Sequence, residues 1–290
     1  MPELPEVEGV VRALRPVVEG KTIEKVITSS TIQTSYENGK ESIVKKSSPQ
    51  TFAKALVGMQ ITEIERRAKY IFFHLMREGN RYLFVNHLGM TGAWFTVNTL
   101  AEITEDKFRR HAHVIIQFTD KQLLVYADIR RFGECRLIEK ISDHPPLLKM
   151  APEPFVKEAE DFFIEQSEKT KYANKAIKEV IMDGQVISGC GNIYATEALF
   201  TMKINPLRKT SQISESSKRL LFHAIVNILQ ESIDFGGSSI SDYRNINGEA
   251  GTMQNRLKMY GRKQCPICQS ETTQVSIGGR TSTYCDNCQQ

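Results

Sequence analysis

The sequence has no apolar run approaching the ~18 residues of a membrane-spanning helix, which excludes a chain threaded through a bilayer by such a helix. No secretory leader is expected either. The opening Met-Pro-Glu-Leu-Pro-Glu is acidic where a leader is basic, and no apolar segment follows it, so the expected location is cytoplasmic. Excess charge of either sign is slight: 38 Lys and Arg against 34 Asp and Glu leave +4. That bias suits a nucleic-acid partner without requiring one. The composition is not poor in apolar residues, and 40% hydrophobic with 25% charged excludes wholesale disorder and a fibrous architecture. Cysteine is scarce, six in 290 residues, and no internal repeat runs through the chain.

What is present is unevenly distributed. From Arg244 to the end, six basic residues (Arg244, Arg256, Lys258, Arg262, Lys263, Arg280) face three acids (Glu249, Glu271, Asp286), a local +3 that suggests a phosphate-facing module. A chain of 290 residues is long enough for two or three domains. Near the N-terminus, Val7, Val10, Val11 and Leu14 follow the i, i+3, i+4, i+7 spacing of a helix with one buried face, expected to end at Pro16 and Gly20. The polar stretch 29–50, with an Asn38-Gly39 turn signal, reads as a long loop. Four β-rich runs follow, at Tyr70–Met76, Tyr82–Leu88, His113–Phe118 and Leu123–Tyr126, and predict an antiparallel sandwich. Four prolines between Pro145 and Pro154 place a domain boundary near residue 150, beyond which Ala176, Ile177, Val180 and Ile181 are spaced for a helix. The helical half runs to about Phe235, where Gly236-Gly237-Ser238-Ser239 opens a flexible polar segment, and the last forty residues read as a separate small unit.

That unit carries the most specific signal in the chain. Cys265-x2-Cys268, sixteen intervening residues and Cys285-x2-Cys288 have the spacing of a four-cysteine zinc site. Four thiolates leave no coordination position for water, so one structural Zn2+ is expected. Between the pairs, Thr272–Ile277 and Thr281–Tyr284 form a hairpin around Gly278-Gly279, with Arg280 at its tip. Cys135 and Cys190 have no partner at metal spacing and read as buried, reduced thiols.

Six segments in this order resemble the formamidopyrimidine-DNA glycosylase family. They are Pro2-Glu-Leu-Pro-Glu-Val-Glu8, Arg66-Arg-Ala-Lys69, His87-Leu-Gly-Met-Thr-Gly92, Asp128-Ile-Arg-Arg-Phe-Gly133, Gly191-Asn-Ile-Tyr-Ala-Thr-Glu-Ala-Leu199 and the cysteine hairpin. The resemblance implies an α+β fold in four parts. These are a catalytic β-sandwich with an N-terminal helix (1–140), a helix-two-turn-helix DNA-binding domain (150–235), a lesion-capping loop (236–252) and a four-cysteine zinc finger (253–290), with DNA held in the cleft between. It implies a monomer that acts on double-stranded DNA containing oxidised bases or abasic sites, excises oxidised purines and cuts the strand by β,δ-elimination. The related endonuclease VIII type usually has glycine where this chain has Leu4, which favours the oxidised-purine branch. The alternatives are an oxidised-pyrimidine glycosylase and a damage-binding paralogue without catalysis, which would not need Pro2, Glu3 or Lys69.

By that resemblance Pro2 is the nucleophile once Met1 is removed; a retained Met1 would convert its amine to an amide. A secondary amine attacking C1′ gives an iminium whose fixed charge acidifies C2′–H. An α-amino group with a pKa near 8 leaves roughly a tenth unprotonated at neutral pH. Glu3 is the expected proton donor to the sugar oxygen or departing base, and Glu6 supports it one turn on. Lys69 is expected to serve β-elimination and contact phosphate, and Arg280 to grip phosphate and serve δ-elimination. Met90, Arg130 and Phe132 match the residues that fill the gap left by a flipped base, a thioether and a ring as wedges and a guanidinium for the orphaned cytosine. His87, His111, Lys178 and Asn192 are further expected DNA contacts, with His111 and His113 on opposite faces and His113 structural. Three departures from the family pattern are Ala68 in place of glycine, Ile129 where proline or valine is commoner, and the long 29–50 excursion.

Overall fold

The computed structural model describes residues 2–40, 42–238 and 251–290; the rest, including Met1 and most of the expected lesion-capping loop, lie outside the description. The chain divides into two compact units, Met1–Leu148 with Gly236–Thr252, and Lys149–Phe235 with Met253–Gln290.

The first unit starts with helix α1 (Leu4–Val18), whose Leu4, Val7, Val10, Val11, Leu14 and Val18 are all buried on one face. The sequence reading ended this helix at Pro16. The structure carries it two residues further, because Pro16 lies in the last turn, where one missing N–H removes a single bond. Strand β1 (Ile23–Thr28), helices α2 (Ser30–Glu37) and α3 (Pro49–Leu56), and strands β2 (Gln60–Arg67), β3 (Tyr70–Arg77), β4 (Asn80–His87) and β5 (Gly92–Val97) follow. Then come α4 (Asp106–Arg110), β6 (Ala112–Phe118), β7 (Leu123–Asp128), β8 (Glu134–Ile138) and α5 (Pro145–Leu148). The strands form two antiparallel four-stranded sheets, ordered β1-β6-β7-β5 and β2-β3-β4-β8. One continuous core joins them and α1, with Phe73, Phe84, Trp94, Phe118 and Tyr126 at 0–1% exposure. This is the expected sandwich.

The 29–50 stretch is corrected from a long loop to two capped helices. Ser29 Oγ accepts the Ile32 N–H and starts α2; Ser48 Oγ accepts the Thr51 N–H and starts α3, with Pro49 in its first turn. Between them, Ile43 O accepts the Cys135 N–H at 2.8 Å and Cys135 O accepts the Lys45 N–H at 3.0 Å, which covers the outer edge of β8.

The second unit is helical: α6 (Ala159–Ser167), α7 (Thr170–Ala173), α8 (Ile177–Ile181), α9 (Asn192–Thr201) and α10 (Glu215–Asp234), followed by the hairpin β9 (Thr273–Ile277) and β10 (Arg280–Tyr284). Ile193 to Phe200 of α9 are all buried, so α9 is the central helix of this unit. The last forty residues, read from sequence as separate, group with these helices. Glu197 of α9 explains why: its buried carboxylate accepts the backbone N–H groups of Lys258, Met259 and Tyr260 at 2.7, 2.9 and 2.7 Å. No described helix is long and apolar enough to cross a membrane.

Candidate functional site

Pro2, Glu3 and Glu6 are all buried at the start of α1. Glu3 is the N-cap residue, and its N–H donates to Glu6 Oε2 at 2.7 Å. The other oxygen, Glu6 Oε1, accepts the Ser238 N–H, also at 2.7 Å. One carboxylate therefore holds both the N-terminal turn and the point where the 236–252 segment leaves α10. Gly237 makes this possible. Its φ is +81° and a Cβ there would stand 3.0 Å from Glu6 Oε1, while a Cβ on Gly251 would stand 2.3 Å from the Gly237 carbonyl oxygen, so the two ends of the segment meet.

Lys69 is half-buried in the two-residue turn that joins β2 to β3. Arg66 fixes this turn: its Nε donates to Glu8 Oε2 at 2.8 Å and its Nη1 to the Ala68 carbonyl at 3.1 Å. The turn is thereby tied to α1 five residues beyond Glu3, about 7.5 Å along the helix axis. Arg66 and Glu8 are positioning residues that the sequence reading quoted but gave no role. Burial pulls the Glu8 carboxyl upward, but bonds to Arg66 and Arg12 outweigh it and hold the group below its ordinary value. A depressed carboxylate stabilises the fold fully above its unfolded value and loses that contribution as pH falls through the folded value. Between about pH 5 and 3 the wild type should therefore lose more stability than Glu8→Gln, as read by urea unfolding at each pH.

Ala68 occupies the left-handed region at φ 53°. A side chain there costs about 1–2 kcal/mol, and a glycine would return about 0.4–1 kcal/mol of that through unfolded-chain entropy. Ala68→Gly should raise stability by up to about 1.6 kcal/mol, measured as an upward shift in the urea midpoint at unchanged slope.

His87 ends β4 beside Tyr70, with ring centroids 4.9 Å apart. The Gly89 N–H donates to its Nδ1 at 3.1 Å, so in the neutral ring Nε2 carries the proton and is the free donor. Burial, followed by the Lys69 ammonium, pushes His87 down to about 4, so the ring is neutral at physiological pH. His111 is set differently. It caps the C-terminus of α4 rather than lying in β6, and its Nδ1–H donates to the Lys107 carbonyl at 2.7 Å. Nε2 of His111 therefore donates only when the ring is protonated. The expected divergence of His111 and His113 is corrected: their rings lie 6.2 Å apart, as residues two apart share a side of an extended chain. His113 shares a 2.8 Å hydrogen bond with Ser29.

Met90, Arg130 and Phe132 lie on two adjoining loops, 88–92 and 128–133. Phe132 is 58% exposed, too open for a core residue, and the Arg130 guanidinium stacks over its ring at 4.8 Å. The support beneath is buried. Asp128 accepts the Thr91 hydroxyl at 2.6 Å and the Gly133 N–H at 2.7 Å, while Thr91 Oγ1 accepts the Arg130 N–H at 2.9 Å. A Cβ at Gly89 would sit 2.5 Å from the Gly133 nitrogen, so the loops pack backbone to backbone. In the sequence Asp128 and Thr91 carry no signal beyond being polar residues within the motifs 128–133 and 87–92.

In the second unit, Asn192 begins α9 and its Nδ2 donates to the Thr281 carbonyl at 3.0 Å, next to Arg280. Arg280 is exposed and opens β10 after Gly278 and Gly279, both at positive φ as a tight two-residue hairpin loop requires. Lys178, expected as a DNA contact, lies beneath the surface. It is fully buried, and its ammonium donates to Thr196 Oγ1 at 2.7 Å, which in turn donates to the Asn192 carbonyl at 2.8 Å. Lys178 therefore acts on the N-terminus of α9 from below. All six cysteines are unbridged, and Cys135 and Cys190 are buried. The sulfurs of Cys265, Cys268, Cys285 and Cys288 all lie within 4.8 Å of one another. A tetrahedral zinc with Zn–S near 2.3 Å sets them about 3.8 Å apart, so the cluster fits a single such ion.

Two family profiles match the chain: the formamidopyrimidine-DNA glycosylase N-terminal domain over residues 1–135, and the formamidopyrimidine-DNA glycosylase H2TH domain over residues 150–244. A formamidopyrimidine-DNA glycosylase of an Exiguobacterium species is 38% identical over the full length of both chains. The Bacillus subtilis protein of that name is 36% identical over all of this chain and 99% of its own. Wild-type Lactococcus lactis Fpg, solved with DNA containing N7-benzyl-Fapy-dG, superposes with a TM-score of 0.83 at 35% identity, covering both chains fully. The same organism's Fpg with abasic-site DNA gives 0.82 at 34%, again covering both chains fully.

Proposed function

The chain belongs to the formamidopyrimidine-DNA glycosylase family, and from that premise we infer that it is a DNA glycosylase and abasic-site lyase that removes oxidised purines. The observation that carries the reading is the buried Pro2-Glu3 turn, held by Glu6 and tied through Glu8 and Arg66 to the turn that bears Lys69. With Met1 removed, the Pro2 nitrogen attacks C1′ as the glycosidic bond breaks and the base departs; the nitrogen then loses its proton and the C1′–O4′ bond opens to give an iminium, with Glu3 supplying a proton to the sugar oxygen or the departing base. The resulting iminium draws electrons from the C2′–H bond; loss of that proton expels the 3′ phosphate, with Lys69 moving protons beside it. A second elimination releases the 5′ phosphate, with Arg280 on the phosphate. A neutral ring presenting Nε2–H makes His87 a phosphate donor at any physiological pH, whereas His111 contributes best when protonated. Met90, Arg130 and Phe132 take the place of the flipped base, and the 236–252 segment, gripped at its stem by Glu6, covers the lesion. Asn192 binds phosphate beside Arg280, with Lys178 as its support. Cys265, Cys268, Cys285 and Cys288 hold one structural zinc ion. The protein works as a monomer in the cytoplasm.

The test is excision from duplexes carrying 8-oxoguanine, a formamidopyrimidine or an oxidised pyrimidine. Release of the purine lesions with strand cutting at both sides of the sugar is the expected result. Release of the pyrimidine lesion alone, or tight binding without release, would transfer the chain to one of the two alternative readings.

A further inference from the structure

Helix α2 takes no part in the chemistry above, and none of the family-like motifs accounts for it. It is nevertheless firmly built: Ser29 caps it, His113 holds Ser29, and Ile32 is buried beneath it. The opposite face, with Thr31, Thr34, Ser35 and Asn38 at i, i+3, i+4 and i+7, combines with Lys40 and Arg131 to line a concavity of about 430 Å³. Among the described residues, no carboxylate and no apolar side chain lines it. Glu37, the one acid of α2, accepts from Gln33 on another face. Arg131 stands between Arg130 and Phe132 of the exposed loop, and its φ of 58° separates its course from theirs. Its charge reaches His113 and, with burial and His111, pushes that ring down to about 4.

We propose that this concavity is a phosphodiester-binding site that extends the DNA interface from the Arg130–Phe132 loop onto α2. Two exposed cations around a hollow with no acid among its described lining residues repel each other, and an anion between them relieves that repulsion. The hydroxyls and the Asn38 amide supply neutral donors of the kind that position a DNA backbone without reading its sequence. A phosphate strand suits the site better than an acidic protein segment because the lining is hydroxylic rather than apolar, and because it continues directly into the gap-filling loop. The proposal rests on the DNA-processing reading above, so its test uses a probe that needs no lesion.

The experiment is equilibrium binding of a long undamaged duplex across a salt series. The proteins compared are wild type, Lys40→Gln with Arg131→Gln, Lys40→Glu with Thr34→Glu, and Lys54→Glu on α3 as a control for charge. The neutralised pair should flatten the slope of log K against log salt by roughly one to two, and the inverted pair should raise Kd on the order of tenfold at low salt. Lys54→Glu should do neither. Wild-type Kd and slope in both double variants, or an equal loss in Lys54→Glu, would overturn the site; the neutralised pair guards against misfolding of the inverted one. If wild type binds this duplex through Lys40 and Arg131 but excises nothing, the glycosylase reading fails while the site stands. Normal excision with unaltered binding in the variants would fail the site alone.

Discussion

Glu3→Gln is expected to slow single-turnover excision of 8-oxoguanine by about 10²- to 10⁴-fold, the range for loss of a positioned general acid, with duplex affinity kept within a few fold. The substitution is nearly isosteric at a position only 2% exposed. The hydrogen bond that shapes the turn uses the Glu3 backbone N–H and the Glu6 carboxylate, so it survives. What disappears is a proton donor beside the Pro2 nitrogen. Base release and strand cutting should be followed separately under enzyme excess. A preformed abasic site already lacks the base, so cutting there should suffer less than excision. Equal loss on both substrates, or a loss matched by weaker binding, would remove Glu3 from the base-release step.

Removal of the metal is the second large effect. Binding to a four-cysteine site of this kind is worth an apparent ~10–16 kcal/mol near pH 7, more than the whole stability of a typical domain. Beyond its own small cluster of Phe200, Met259, Cys265 and Cys285, the module is tied to the helices by a few polar bonds, among them those of Glu197, the Asn192 amide on the Thr281 carbonyl and the Gln289 amide on the Ile204 carbonyl, which cannot fix a hairpin whose cysteines have lost their ion. A chelator, or Cys268→Ser, should therefore disorder β9 and β10 and lower strand scission by more than about a hundredfold, Arg280 being a residue of that hairpin. The β-sandwich has its own core and should remain folded. Metal content, hydrogen exchange of the hairpin amides and DNA cutting, measured on the same samples, test this; full cutting by a metal-free protein would contradict it, and restoration by zinc would support it.

The sandwich was legible where strands alternate cleanly, as β3, β4, β6 and β7 do. Strand β2 was hidden because its Gln-Ile-Thr-Glu-Ile-Glu-Arg-Arg carries a charged outer face, and β8 because five residues are too few for a period. Helix α2 was masked by polar composition, and α3 because only its first two residues fall within the polar 29–50 stretch, although Ser29 and Ser48 were both available as caps. For the site, the motifs point to candidate chemical groups but not to what holds them. Arg66, Glu8, Asp128, Thr91 and Glu197 each bond to backbone or to a partner distant in sequence, and no local pattern marks such a role. Lys178, expected from the resemblance as a DNA contact, is a further case: only the fold reveals the Thr196 hydroxyl of α9 that receives its ammonium.

The central claim is that the Pro2 nitrogen forms the bond to the sugar. Its most direct test is borohydride trapping of Met1-processed protein on a duplex carrying 8-oxoguanine opposite cytosine, followed by peptide mapping of the adduct. The account predicts one deoxyribose-linked peptide, the N-terminal one, modified at the proline nitrogen. An adduct on a lysine, or none despite excision of the base, would contradict it.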